Sequence, residues 1–217
     1  MEYLVTMTTN VPDGTPQEAI AEIRERESRR SRELAAAGSL LRLWRPPLQP
    51  EEWRTLGLFA AESLGELEIV LASMPLRVWR TDAVTPLLPH PNDPSMSQHD
   101  GGAPVREFLT TFTITVPANT PDEAIADMNA REARRASELA DQGRLARLWR
   151  LEEIPTTMRS LGLWRTQDGS EMQAILESLP MHSWIHAETT PLTPHPSDPA
   201  VINPGPLVQR TANRAPL

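Results

Sequence analysis

The amino-acid sequence predicts an α+β protein built from two ferredoxin-like domains, each with the element order βαββαβ. Residues 2–94 align with residues 107–199 without a gap, and each copy contains four strand-like and two helical segments in that order. An antiparallel sheet of this type carries both helices on one face and leaves the other face bare. A second copy can cover that face, so we expect an intramolecular pseudo-dimer with packed antiparallel sheets.

The internal repeat sets the predicted domain boundaries. Each residue of the first copy aligns with the residue 105 positions later, and nearly half of the aligned pairs are identical. Solenoid repeats have periods of roughly 20 to 50 residues, so a repeat of this length should be a domain. We predict a first domain at 1–93, a linker at 94–106, a second domain at 107–199 and a flexible C-terminal arm at 200–217.

The elements of the first copy follow from local signals. Residues 3–9 alternate and are rich in strand-forming residues. Thr15, Pro16 and Glu18 have the spacing of a helix start with a capping box, and Gly38 marks the end of that helix. The remaining predicted elements are strands at 39–45 and 55–60, a helix at 63–73 that ends near Pro75, and a strand at 77–85.

Composition and charge narrow the class of function. Asp and Glu total 29 against 21 for Lys and Arg, so the net charge of −8 would repel a phosphate backbone and we expect no nucleic-acid partner. The absence of cysteine excludes disulfides and thiolate metal sites. No apolar run is long enough to cross a membrane, and we expect a soluble, cytoplasmic protein.

The histidines do not predict a metal site. His182 and His186 have the spacing of a helical metal pair, but they fall in the predicted last strand of the second copy. Arg77 and Thr81 replace them in the first copy. We therefore expect no metal. A turn role is predicted for the histidines of the repeated His-Pro motif, His90 and His195.

A glutamate interrupts the apolar stripe of the first helix in each copy. Because a helix advances 100° per residue, Glu27 lies on one stripe with Ile23 and Leu34, and Glu132 occupies the matching place in the second copy. Burial raises the pKa of a carboxyl group toward neutrality, which suits a group that takes and returns a proton at pH 7. Glu27 and Glu132 are therefore candidate general bases.

An ion pair is the alternative interpretation of both glutamates. Arg30 and Arg135 lie on the same stripes, and a helix arginine three residues away commonly pairs with a glutamate. The two interpretations are compatible, because a paired carboxylate can still act as a base of lower pKa.

The repeated Leu-Trp-Arg motif ends a predicted strand in each copy. Neighbouring strand residues point to opposite faces, so one member of each Trp-Arg pair should face inward. An inward arginine would bind a substrate carboxylate and an inward tryptophan would wall a pocket, whereas the alternative is a core tryptophan and a solvated arginine. The candidates for substrate binding are Trp44 and Arg45 in the first copy and Trp149 and Arg150 in the second.

The order and spacing of these motifs resemble the muconolactone Δ-isomerase family, over almost the whole of both repeats. The first copy matches through Val11-Pro12, Glu27, Gly38, Leu43-Trp44-Arg45, Ser73-Met74-Pro75-Leu76 and His90-Pro91. The second copy matches through Glu132, Gly143, Leu148-Trp149-Arg150, Ser178-Leu179-Pro180-Met181 and His195-Pro196. The resemblance implies a ferredoxin-like fold, self-association with active sites near subunit interfaces, and a cofactor-free proton shift in an unsaturated lactone.

The sequence departs from the family pattern around the glutamates. Family members carry lysines before and beside this glutamate, where the first copy has Arg24 and Ser28 and the second has Asn129 and Ala133. Arginine stays protonated and would stabilise an enolate, and asparagine can only hydrogen-bond, so Arg24 and Asn129 are candidate substrate-binding residues.

The two copies also differ at other positions, so their pockets should differ in charge and size. The differing pairs include Phe59 and Trp164, which we add to the candidate substrate-binding residues, Arg77 and His182, and Arg80 and Ile185.

Three functional hypotheses follow. The first is a cofactor-independent isomerase or cyclase that moves a proton in a lactone, enone or polyketide-like small molecule through Glu27, Glu132 or both. The second is a catalytically inactive protein of the same fold that binds a small molecule. The third is a structural assembly module. The first two are compatible with a homo-oligomer of pseudo-dimers.

Overall fold

The computed structural model describes residues 1–94, 106–152 and 157–202. Within these ranges the chain is a mixed α+β protein with eight strands that pair antiparallel. The predicted linker at 94–106 and the predicted arm at 200–217 lie almost entirely outside the described residues. No helix in the described ranges is long and apolar enough to span a bilayer.

Contacts divide the chain into two compact units. The first unit contains Met1–Pro86 and the segment from Thr193 onward, and the second contains Leu87–Leu192. The final residues of each repeat therefore belong to the unit that the other repeat builds.

The first unit carries a sheet with two helices. Its elements are β1 (Glu2–Thr9), α1 (Gln17–Ala36), β2 (Leu40–Arg45), β3 (Arg54–Ala60), α2 (Leu64–Ala72), a 3₁₀ turn at Pro75–Trp79 and most of β4 (Arg80–Pro89). Strand β3 lies between β1 and β2, and the free edge of β2 pairs with Thr193 and Pro194. Exposure alternates strictly along β1, as expected for a strand with one face on the core.

The second unit repeats this arrangement. Its elements are β5 (Arg106–Ile114), α3 (Asp122–Asp141), β6 (Leu145–Arg150), β7 (Met158–Thr166), α4 (Gly169–Glu177), a 3₁₀ turn at His182–Trp184 and most of β8 (Ile185–Pro194). Strand β5 lies between β7 and β8, and β6 pairs with β7 on one edge and with Leu88 and Pro89 on the other. A short helix, α5 (Pro199–Ile202), follows β8 and belongs to the first unit.

The predicted βαββαβ order is present in both copies, and two local details differ from the prediction. Thr15 does not cap α1, because its hydroxyl donates to the Pro12 carbonyl at 2.6 Å and the helix begins after Pro16 without a side-chain cap. The last strand begins later and runs to Pro89, because a 3₁₀ turn occupies the residues after Met74. Gly38 ends α1 at φ +74°, as predicted.

Each unit has its own apolar core between the helices and one face of the sheet. In the first unit the core includes Tyr3, Val5, Leu34, Phe59 and Leu67. In the second unit the aromatic side chains are Phe108, Phe112 and Trp164, with Phe112 and Trp164 edge to face at 6.1 Å. Helix α3 lies over this second core, and its Glu132 is at the border.

Candidate active site

Glu132 is held in a half-buried position by the backbone. It lies on α3, four residues before the first buried residue of that helix, Ala136. The backbone N–H of Met181 donates a 3.0 Å hydrogen bond to Glu132 Oε2. Burial raises the pKa of Glu132, against the lowering effects of the Met181 N–H and the positive charge of Arg135. A carboxyl group with a raised pKa takes up a proton more readily than a solvated one.

A small cleft with a volume of about 60 Å³, partly open to solvent, adjoins Glu132 in the second unit. Its walls are mostly apolar side chains from α3, the sheet and the 3₁₀ region, and a few polar groups are set among them. The lining residues are His90, Asn92, Phe112, Ile114, Glu132, Ala136, Leu145, Leu148, Ser160, Trp164, Leu179, Met181 and Ile185. Apolar walls with few polar groups are typical of a small-molecule site.

His90 reaches this cleft from the end of the first repeat. Its Nδ1 accepts a 3.0 Å hydrogen bond from the backbone N–H of Asn92, so the neutral ring carries its proton on Nε2. Burial lowers the pKa of His90, and the charge of Arg150 lowers it further, against an opposing effect of Asp93. The ring is thus neutral at pH 7 and offers an N–H donor. The predicted turn role did not include this position in the cleft wall.

Trp164 brings an unsatisfied donor to the same cleft. The residue is 3% exposed, and its Nε1–H has no hydrogen-bond partner among the described residues. The ring lies close over Gly162, where a Cβ would come within 2.5 Å of Nε1. Leaving a buried donor unpaired costs about 1–3 kcal/mol, and few buried polar groups in native proteins are left in this state.

The matching glutamate of the first unit has a different environment. Glu27 Oε2 accepts the backbone N–H of Leu76 at 2.8 Å, which repeats the contact of Glu132 with Met181. Arg80, however, places Nη1 3.1 Å from Glu27 Oε1 and Nε 2.6 Å from Asp82 Oδ1. The side chains of Arg80 and Asp82 are 2% and 3% exposed.

This ion cluster has no counterpart among the described residues of the second unit. Ile185 and Ala187 occupy the aligned positions there, and they pack against the apolar core of that unit. Burial is the main cause that raises the pKa of Glu27, and the Leu76 N–H and Arg80 lower it in part. Glu27 is thus in an ion pair, but its partner is Arg80 and not the predicted helix arginine Arg30, which pairs with Glu33 at 2.9 Å. Glu132 lines a cleft instead.

The other predicted substrate-binding residues of the first unit are spread over its surface and core. Arg24 is exposed and its guanidinium lies 4.3 Å from the Trp53 ring centroid. Phe59 and Trp44 are buried, Phe59 in the apolar core. Arg45 is exposed, and its Nη2 lies 3.4 Å from His195 Nε2.

In the second unit Trp164 alone of the predicted substrate-binding residues lines the cleft. Trp149 is buried under the guanidinium of Arg147 at 4.7 Å, Arg150 is exposed and donates to the Pro89 carbonyl, and Asn129 is exposed on α3. Among the described residues no three His, Asp or Glu side chains are grouped so that they could hold a metal ion.

Sequence reasoning missed two aspartates that attach the end of each repeat. Asp198 lies 3.0 Å from Arg42 and accepts the Leu43 N–H at 3.1 Å. Asp93 makes the same contacts with Arg147 and the Leu148 N–H. The repeated His-Pro-X-Asp-Pro pattern was the available signal in the sequence. In the structure, the pairing strand of each copy shifts register just before the arginine that binds the aspartate. In the second unit this attachment holds the segment that carries His90.

Comparison with known proteins identifies the family. The model of the muconolactone delta-isomerase family matches residues 1–93 and again residues 106–198. This chain belongs to the muconolactone delta-isomerase family. The two matches confirm the resemblance seen in the motifs and the tandem duplication.

A curated member of the family has the length of one repeat. Muconolactone Delta-isomerase 1 from Acinetobacter lwoffii is 35% identical over 92 residues, which are 42% of this chain and 93% of that protein. Family membership supports an isomerase activity.

Solved structures share the fold at low identity. A variant of chlorite dismutase from Candidatus Nitrospira defluvii has a TM-score of 0.59 and 11% identity, over 89% of this chain and 91% of its own. A heme-binding protein from Thermus thermophilus has a TM-score of 0.55 and 12% identity, over 91% of this chain and 93% of its own. At these identities the likeness concerns the fold alone.

Proposed function

We propose that this protein is a cofactor-independent isomerase that shifts a proton in an unsaturated lactone, enone or related small molecule, with Glu132 as the base and later the acid. One observation carries the proposal. Glu132 is half-buried at the wall of an apolar cleft, and the Met181 N–H is its hydrogen-bond partner among the described residues. A carboxylate in this setting is basic enough to remove a proton beside a conjugated carbonyl.

The reaction requires two proton transfers. Glu132 removes a proton from a carbon conjugated with the carbonyl, and the electron pair of that C–H bond moves through the conjugated system onto the carbonyl oxygen. The protonated Glu132 then returns the proton to a different carbon, and the electron pair moves back from oxygen to close the new C–H bond. Atoms and charge balance without an oxidant, a reductant or a co-reactant.

We also propose that the two repeats are ferredoxin-like halves of one pseudo-dimer. The βαββαβ order of each repeat supports this, as does the inclusion of each repeat's last residues in the other unit. The proposal predicts that neither repeat alone folds cooperatively, which thermal unfolding of the separate repeats would test.

Deuterium exchange tests the role of Glu132. Muconolactone incubated with the protein in D₂O should gain deuterium at the carbon that receives the proton. Glu132→Gln should slow this exchange by about 10²- to 10⁴-fold, the usual contribution of a positioned acid–base group. Glu27→Gln is the matched control, because Glu27 has the same backbone contact but is bound to Arg80. Deuterium exchange in Glu132→Gln at the same rate as in the protein with Glu132 would contradict the proposal.

A binding protein without turnover is the second candidate. The positions beside Glu132 that hold lysines in the family pattern are Asn129 and Ala133, and all 21 basic residues of this chain are arginines. No lysine can therefore assist the proton transfer. If this candidate is correct, a cleft ligand raises the melting temperature of the protein while no deuterium enters it.

A further inference from the structure

We propose that the cleft of the second unit takes an uncharged carbonyl compound with an apolar body, and that the indole N–H of Trp164 binds its carbonyl oxygen. The inference rests on the proposed isomerase function and specifies its substrate class. Muconolactone carries a carboxylate, so the proposal assigns to this chain a substrate that differs in charge from the one in the family name.

The charge of the cleft supports an uncharged substrate. No arginine is among the described residues that line it, and Glu132 is their acidic member. Arg135, which lies near Glu132, donates to Ser178 Oγ at 2.8 Å and to Glu138 Oε2 at 3.1 Å. Arg150, which lies near His90, donates to the Pro89 carbonyl at 3.0 Å. An anionic ligand would therefore meet a carboxylate without a cation directed at it, and such like-charge contacts disfavour binding.

The unpaired donor of Trp164 supports a carbonyl group. Trp164 lines the cleft and its buried Nε1–H has no partner among the described residues, so a ligand acceptor that reaches this atom would remove the cost of the unpaired group. The first unit has Phe59 at the aligned position, which packs in its core and has no such donor. The donor is thus specific to the unit in which Glu132 lines a cleft.

The neutral ring of His90 adds a second donor to the lining of the cleft. Its Nδ1 is occupied by the Asn92 N–H, and the proton on Nε2 is left to donate. When Glu132 removes the proton, negative charge develops on the carbonyl oxygen. Donors in a water-poor cleft stabilise that charge more than they stabilise the starting carbonyl, and this difference accelerates the reaction. The apolar remainder of the cleft fits the body of the molecule.

The experiment compares muconolactone with its methyl ester, which has the same ring and lacks the charge. Deuterium exchange and the shift in melting temperature are measured for both compounds on the intact chain and on Trp164→Phe, which copies the residue of the first unit. Trp184→Phe, outside the cleft lining, is the control. We expect kcat/KM for the ester to exceed that for the acid at least tenfold, since the like-charge contact is removed. We expect Trp164→Phe to lower exchange by about 10²-fold, as the loss of one oxyanion donor does.

The outcomes are separable. Faster exchange of the acid than of the ester would overturn the uncharged-substrate inference. An unchanged rate in Trp164→Phe would overturn the role of Trp164 as a donor but would leave the role of Glu132 as the base intact. If neither compound exchanges in the intact chain, the isomerase proposal fails. The melting shifts then test the substrate class alone. A larger shift with the ester than with the acid, reduced in Trp164→Phe, supports an uncharged substrate. A larger shift with the acid refutes it.

Discussion

Arg80→Ile should destabilise the protein strongly, although it installs the residue that the second repeat has at the same position. Arg80 is paired with two carboxylates, Glu27 at 3.1 Å and Asp82 at 2.6 Å, and its side chain is 2% exposed. Removing one partner of a buried ion pair leaves charge without compensation and costs about 3–5 kcal/mol. Asp82 retains its 2.6 Å contact with Arg77, which is half-exposed, so we expect the lower end of that range.

The double variant Arg80→Ile with Asp82→Ala separates charge from packing. It reproduces both residues of the second repeat. It also removes the Asp82 carboxylate, which loses its contact with Arg80 in the single variant, so the double variant should be more stable than Arg80→Ile alone. For a chain of this size 1 kcal/mol shifts the melting temperature by about 2–4 °C, so Arg80→Ile should lower it by about 6–12 °C. Thermal and urea unfolding followed by circular dichroism measure both variants. An equal loss of stability in the single and double variants would refute the charge argument, because the loss would then come from changed packing and not from an unpaired charge.

Three further predictions concern the second unit and the attachment of the repeats. Glu132→Gln should stabilise the protein at pH 7, because the raised pKa of Glu132 makes its charged form unfavourable in the folded protein, and this gain should vanish below its ordinary value of 4.5. The pKa of Glu27 is also raised, but Glu27→Gln should gain less, because it removes a carboxylate paired with the buried Arg80; urea unfolding at both pH values would show the difference. Gly162→Ala should cost about 1–3 kcal/mol and weaken ligand binding, because the added Cβ would displace the Trp164 ring, and calorimetry checks both effects. Asp198→Ala should cost about 3–5 kcal/mol in thermal unfolding, because the side chain is fully buried in an ion pair with an arginine of β2.

The sequence was sufficient to predict the repeat, the order of the elements and the direction of the two glutamates. These features depend on local patterns, namely a gapless alignment and the 3.6-residue period that places Glu27 and Glu132 toward the sheet. His90 was assigned to a turn because its place in the cleft depends on contacts 55 residues away, between Asp93 and Leu148. Strand periodicity also could not show that Arg80 reaches Glu27, since that contact joins residues 53 positions apart.

Duplication within one chain explains how the two glutamates acquired different environments. In an assembly of identical chains every site has the same residues, so a substitution that closes one site closes all of them. Here Arg80 and Asp82 surround Glu27 with buried ion pairs, while the aligned Ile185 and Ala187 leave Glu132 beside a cleft. Burial of a carboxylate with few partners lowers stability, and pairing with Arg80 offsets part of that cost at Glu27. A fused chain can therefore keep one reactive carboxylate and convert the other into part of the scaffold, and the difference between the two Glu→Gln variants measures that division directly.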